Sequence, residues 1–407
     1  MLIIESIEKQ HFMKIYHFLL SLCFGIFISC GSSAIDEGTP VIETYPNVTA
    51  TFGNNINLNN LENYANQSIP RYITKDNTLS NPITNKGATL GRVLFYDKNL
   101  SKNNTISCSS CHKQELAFGD NAIASTGVNG TTGRHAMRLV NSRFSLEKKF
   151  FWDERASSLE VQTSMPIQDH KEMGFSGTDG DDNISALLTK LQNIKYYQEL
   201  FKFVYGDTTI TQDRIQNALA QFIRSIQSFD SKYDTGRALA ANDQDPFSNF
   251  TTQENLGKQL FLTPPTFDGT GTRISGGLGC NACHNAPEFD IDPNTRNNGI
   301  IGIIGETGID ITNTKAPSLR NVTKPDGTEN GPFMHTANLA TLQNAIGHYG
   351  NININTRNTN LDARLMPNGV GQKLNLTATE VNAVIAFLKT LSGNDVYTNK
   401  KWGNPFP

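Results

Sequence analysis

Cysteine is scarce in this chain, with six residues in 407, and tryptophan is scarcer still, with two. Cys23 and Cys30 lie within the first thirty positions, and the other four fall in two short motifs. No Cys is left for structural disulfides, which excludes a disulfide-stapled fold. An excess of charge of one sign is missing too: 35 Lys and Arg stand against 38 Asp and Glu, a formal net charge of −3. That balance offers no basic footprint, and no nucleic acid partner is expected. Strand alternation is rare. Hydrophobic residues reach only 37%, a thin supply for so long a chain unless large cofactors add apolar core. The apolar run at residues 15–28 is too short to span a bilayer comfortably.

What the chain does contain is a pair of C-x-x-C-H motifs, Cys108-Ser109-Ser110-Cys111-His112 and Cys280-Asn281-Ala282-Cys283-His284. This is the attachment pattern of a c-type haem. Two intervening residues set the thiols about one helical turn apart, and the next residue offers an imidazole to the iron. The alternatives are zinc on Cys108, Cys111, Cys280 and Cys283, or two disulfides. Zinc leaves the paired His unexplained, and a disulfide requires neither His. The motifs therefore predict two covalently bound haem c groups, one on Cys108 and Cys111, the other on Cys280 and Cys283, with His112 and His284 as axial iron ligands.

The N-terminus agrees with this. Met13-Lys14 precedes the apolar run, and Ser29-Cys30-Gly31-Ser32-Ser33 follows it, the order of an export signal. Met13 is an alternative start to Met1. Cys30 resembles the lipid-modified Cys of bacterial lipoproteins, with ordinary cleavage nearby as the alternative. The expectation is a signal peptide over residues 1–30, of lipoprotein type, then a flexible spacer over residues 31–67, rich in Asn, Thr and Gly. The protein then lies in the periplasm or on the periplasm-facing membrane, with a membrane tether through lipidated Cys30.

The chain also repeats itself. Leu90-Gly91-Arg92-Val93-Leu94-Phe95 precedes the first motif, and Leu256-Gly257-Lys258-Gln259-Leu260-Phe261 precedes the second. Helical periodicity marks residues 184–191 and 215–226. A last helix over 377–391 opens on Thr377 with Glu380 as a capping box, followed by an apolar stripe of Val381, Val384, Ile385, Leu388 and Leu391. The predicted fold is mostly α, two tandem cytochrome c-like haem domains with long loops: residues 68–229 and residues 230–407, with a linker over 230–249.

Asn81-Pro82, Leu90-Gly91-Arg92, Leu94-Phe95-Tyr96-Asp97, Leu100-Ser101, Phe151-Trp152-Asp153-Glu154-Arg155-Ala156, Glu172-Met173-Gly174, Pro317-Ser318-Leu319-Arg320-Asn321 and Phe387-Leu388-Lys389-Thr390-Leu391 resemble, in order and spacing, the bacterial diheme cytochrome c peroxidase and MauG family. The resemblance runs from about Asn81 to Leu391. It implies that the first domain carries the peroxidatic haem and the second the electron-transfer haem. It matches Trp152 to the tryptophan between the haems, where the residues alone suggest a core aromatic. It matches Glu172 to the acid at the peroxide site, where the residues alone suggest a solvated loop Glu. Cleaving an O–O bond needs a proton carried from one oxygen to the other, and a carboxylate can carry it.

Two departures qualify the resemblance. Fourteen residues after His335, where typical peroxidases of the family have a Met ligand to the second haem, stands Tyr349, as in MauG-type enzymes. A phenolate ligand lowers the haem potential relative to His/Met ligation. His348 and Met366 compete for this place. The loop Gly127-Val128-Asn129-Gly130-Thr131-Thr132-Gly133 lacks the His that blocks the peroxide site in reductively activated members, so the first haem is expected open to peroxide. His135 stands where the family has an Asn that helps bind a calcium ion. The backbone of Asn330 and Pro332 could still hold that calcium. The implied activity is reduction of hydrogen peroxide to water with electrons from a small periplasmic donor protein, a cytochrome c or cupredoxin. The alternatives are a MauG-like oxidase acting on a protein or small molecule through a high-valent diheme state, and a non-catalytic electron carrier. A homodimer is common in the family.

Overall fold

The computed structural model describes residues 43–407. The expected signal peptide, Cys30, both candidate starts and residues 31–42 lie outside the described residues. The first half carries α1 (Pro46–Phe52), α2 (Asn85–Tyr96), α3 (Cys108–Cys111), α4 (Leu159–Ser164), α5 (Ile184–Gln192), α6 (Lys195–Tyr205) and α7 (Gln212–Ser225). The second carries α8 (Lys232–Leu239), α9 (Thr252–Leu262), α10 (Leu342–Gly350), α11 (Ala378–Lys389) and α12 (Asp395–Thr398). Strand is confined, among the described residues, to two short antiparallel ribbons: β1 (Pro265–Phe267) with β2 (Arg273–Gly276), and β3 (His284–Asn285) with β4 (Asp290–Ile291). The described chain is thus mostly helical, with long loops between the helices.

The repeated Gly-x-x-Leu-Phe pattern is a helix-crossing device. A Cβ on Gly91 of α2 would lie 2.0 Å from the Ala218 carbonyl of α7, and one on Gly257 of α9 would lie 1.9 Å from the Ala383 carbonyl of α11. Only Gly lets either pair approach so closely. The following Phe seals each crossing: Phe95 meets Phe222 with ring centroids 5.2 Å apart, and Phe261 meets Phe387 at 5.3 Å. The same four-residue contact is therefore built twice, once beside each C-x-x-C-H motif. α11 begins on Thr377, whose side chain accepts from Glu380 N while Glu380 reaches back, the capping box legible in sequence.

Two apolar cores result, one of residues between Val48 and Ile226, the other of residues between Tyr233 and Leu391. Tyr45–Pro407 nonetheless forms one compact unit, and three expectations change. Residues 45–67 of the expected flexible spacer are packed: Val48, Phe52, Ile56, Leu58 and Tyr64 enter the first core. Their irregular spacing hides them among Asn and Thr. The expected linker holds α8, capped by Ser231 and Asp234. Its Asp234 accepts from the fully buried Arg320 guanidinium at 2.9 Å. The C-terminus returns to the first core, where Val396 and Trp402 are buried and the Gly403 carbonyl accepts from Arg92 Nε at 2.7 Å.

Candidate functional site: two motif cavities and their shared wall

The first motif is a single helical turn, with Ser107 and Ser110 closing a capping box and His112 N–H bonding the Cys108 carbonyl at 2.9 Å. Two successive left-handed residues, Ala117 (φ 54°) and Phe118 (φ 58°), turn the Phe118 carbonyl back toward His112 Nδ1 at 3.2 Å. Such a conformation costs about 1–2 kcal/mol per non-Gly residue. Here it fixes the orientation of the imidazole through Nδ1, and burial draws the His112 pKa down. The second motif is a tighter 3-10 turn, Cys280–Ala282, leading into His284 at the start of β3. His284 Nδ1 is buried with no hydrogen-bond partner, and burial pushes its pKa down to about 4. Both imidazoles are therefore neutral, the form that ligates iron.

Beside each motif opens a cavity. The first, of 590 Å³, is bordered by Cys111, His112, Arg155, His170 and Glu172. The second, of 490 Å³, is bordered by Cys280, Cys283, His284, Met334, Tyr349 and Arg364. Both fall within the roughly 300–1,000 Å³ of cofactor sites. The four Cys are unpaired, which removes the disulfide reading. Burial raises Cys108 and Cys280 to about 12, and Cys111 and Cys283 to about 11. Cys111 borders the first cavity and Cys108 a small pocket adjoining it, Cys280 and Cys283 border the second, and no group of three or more His, Cys, Asp or Glu able to hold a metal occurs among the described residues. The single zinc site is thereby excluded. Two thiols and one imidazole beside a large hollow recur in each half, Cys108 reaching the first through a small adjoining pocket that it shares with Cys111 and His112, and this chemistry fits a thioether-linked haem at each motif.

Glu172 borders the first cavity together with Cys111 and His112. The Gly127–Gly133 loop holds it by its backbone: Val128 N–H donates to the Glu172 carbonyl at 2.9 Å, and Asn129 N–H to the Lys171 carbonyl at 3.2 Å. A Cβ on Gly127 would strike the Lys171 carbonyl at 2.0 Å. Burial, aided by Asp169, pushes the Glu172 carboxyl up to about 7, a value suited to giving and taking protons near neutrality. His170, which the sequence reading passed over, borders the same cavity, with Nδ1 2.8 Å from Asp181 Oδ2. Its place two residues before Glu172 was the available signal.

Trp152 borders both cavities, as do His135, Met137 and Arg138. The Trp152 indole N–H donates to the His135 carbonyl at 2.7 Å, and the Trp152 carbonyl accepts from Lys315 N–H at 2.7 Å. Its ring lies 6.1 Å from that of His335. The indole is thus fixed by residues of both halves. Of the three candidates for the second haem's distal ligand, Tyr349 alone borders the second cavity. The His348 ring is tied to the Asn298 carbonyl at 2.9 Å, and Met366 packs in a small separate cluster against Tyr349. Met334, not weighed from sequence, borders the cavity too, with its sulfur 3.5 Å from the Asn298 amide. Burial raises the Tyr349 hydroxyl well above its ordinary value, so a bound cation would be needed to hold it as phenolate.

Where the sequence reading placed calcium, a cationic side chain already stands. His135 Nδ1 faces the Ala122 carbonyl at 2.8 Å, and the Asn330 carbonyl is approached by Arg138 Nη1 at 3.4 Å. Calcium requires six to eight oxygens, commonly including carboxylates, and this joint offers a guanidinium.

A family model described as di-haem cytochrome c peroxidase matches residues 85–243. The chain is 30% identical over 319 residues to a cytochrome c551 peroxidase of Nitrosomonas europaea, covering 75% of this chain and 80% of that one. It is 28% identical to a methylamine utilization protein MauG of Methylophilus methylotrophus, covering 77% of this chain and 85% of the other. Among solved structures, a MauG-like protein associated with microbial copper homeostasis superposes with a TM-score of 0.62 at 27% identity, over 84% of this chain and 99% of that one. The fold is shared with the diheme peroxidase BthA of Burkholderia thailandensis, at a TM-score of 0.56 and 19% identity over 81% of this chain and 93% of the other. The motifs, the doubled helix crossing and these similarities agree: the chain belongs to the di-haem cytochrome c peroxidase and MauG family, whose cofactors are two covalently bound haem c groups.

Proposed function

We propose that this protein is a diheme c-type peroxidase that reduces hydrogen peroxide to two water molecules, consuming two protons and two electrons supplied by a small periplasmic redox protein. The observation that carries the reading is the arrangement of Glu172 and Trp152: a carboxyl near neutral pKa on the first cavity, and an indole on the wall common to both. Cys108, Cys111 and His112 would hold one haem in residues 68–229. Cys280, Cys283 and His284 would hold the other in residues 230–407, with Tyr349 as its second axial ligand. The haem irons supply the redox chemistry. Glu172, on the wall of the first cavity with a pKa raised to about 7, would carry a proton between the two oxygens of the peroxide. Trp152 and its hydrogen bonds to His135 and Lys315 keep the path between the two centres dry and fixed.

No described helix is long and apolar enough to cross a membrane. A periplasmic location, with a tether through Cys30, rests on the export signal. The test is steady-state consumption of hydrogen peroxide by the holoprotein with a reduced cytochrome c or cupredoxin. Oxidation of two donors per peroxide is expected, and consumption without donor oxidation would overturn the reading. Tyr349 on the second cavity favours one rival, a MauG-like oxidase whose electrons come from a protein or small-molecule substrate. That rival predicts peroxide-dependent oxidation of such a substrate and indifference to the donor.

A further inference from the structure

We infer that Arg138 is a built-in cation at the joint between the two halves, and that its guanidinium takes the place of the calcium ion expected at Asn330 and Pro332. The inference deepens the diheme reading, because Arg138 borders both motif cavities.

Arg138 is half-buried, and its partners differ from those of the buried arginines. Arg320 is fully buried against Asp234 at 2.9 Å, a matched ion pair. Arg92 spends its N–H groups on the carbonyls of Gly403 and Asn55. Arg138 forms no ion pair among the described residues. Its one hydrogen bond runs from Nη1 to the Asn330 carbonyl at 3.4 Å, and Nε is buried without a partner. Burial draws its pKa down to about 10, which leaves it charged at neutral pH. The aliphatic stem packs on Gly119, where an added Cβ would lie 2.8 Å from Arg138 Cγ. The sequence beside Asn330 is equally committed. Its amide donates to the Asn321 carbonyl at 2.9 Å and to the Tyr397 hydroxyl at 2.8 Å, while its Oδ1 is a buried acceptor without a partner.

A buried charge without a counter-ion is costly, so such a residue is placed where negative charge or oxygen lone pairs surround it. Here the Asn330 carbonyl supplies the oxygen, and any acidic group of a cofactor held in either cavity would add to it. A divalent ion at the same carbonyl would be repelled by the guanidinium. A guanidinium is also permanently bound, so the joint needs no ion from solution.

The test is calcium content, by elemental analysis, of the holoprotein purified without chelator, followed by melting and Soret spectra before and after EGTA. Substoichiometric calcium, with melting and spectra unchanged by EGTA, is expected. One calcium per chain, with a spectral or melting change on its removal, would overturn the inference. Arg138→Met and Arg138→Lys supply the positive arm by potentiometric titration. Loss of the charge should lower the haem potentials, because a nearby cation favours the reduced state, and Lys should retain most of the wild-type value. Equal potentials in wild type and Arg138→Met would also overturn it. If neither variant folds, the metal content of the wild type decides. Loss of peroxidase activity without these changes would count against the functional reading, not against Arg138.

Discussion

At the residue scale, function rests on a few side chains whose roles depend on their surroundings. Glu172 is a loop carboxylate by sequence alone, and burial beside the first motif raises its pKa to about 7, the range that the proposed proton transfer needs. Glu172→Gln should lower turnover by about 10²–10⁴-fold with both haem spectra intact; unchanged turnover would remove Glu172 from the mechanism. The group must be ionised to accept the first proton, so the rate should rise with pH through a midpoint near 7, and the variant should lose that limb. The sign for stability follows from the same shift. The folded value of about 7 lies above the ordinary 4.5, so Glu172 costs no stability below about pH 4.5, its cost grows between about pH 4.5 and 7, and it levels off above that. For Tyr349→Phe, the expectation is a changed axial spectrum of one haem only; an unchanged spectrum would pass the ligand role to Met334. Cys108, Cys111, His112, Cys280, Cys283 and His284 were legible because their spacing is itself the chemistry. Arg138 was not, because its environment is made by Asn330, distant in sequence, and the Asp181 partner of His170 carries no spacing signature.

At the element scale, the determining device is the duplicated crossing of α2 on α7 and α9 on α11. Its Gly residues and the cap at Thr377 could be read from sequence, since each is a local signal. The crossing partners could not, because Ala218 and Ala383 carry no mark of what approaches them. Gly257→Leu should destabilise by about 1–3 kcal/mol or more through overpacking, read as a lowered melting temperature of the holoprotein; an unaltered melting curve would contradict the contact at Ala383. The Gly127–Gly133 loop gives a second case. It lacks a blocking His, as expected, and its backbone also positions Glu172, which no periodicity announced.

At the scale of the whole molecule, two cores share one compact unit. Arg320 and Asp234 tie the start of the second half to its interior, and the C-terminal residues close over the first core. Arg320→Met leaves Asp234 buried without its cation and should cost about 3–5 kcal/mol in denaturant unfolding; a cost below about 1 kcal/mol, the scale of a surface ion pair, would show that the pair is not structural. The packing of the tail and of residues 45–67 was hidden from sequence because single apolar residues at irregular intervals do not form a pattern. The central claim is a peroxidase whose first haem meets peroxide without prior reduction. It is tested most directly by rapidly mixing the fully oxidised holoprotein with one equivalent of hydrogen peroxide and following the Soret band. An immediate spectral change, slowed in Glu172→Gln, is predicted; no change until a reductant is supplied would contradict the account.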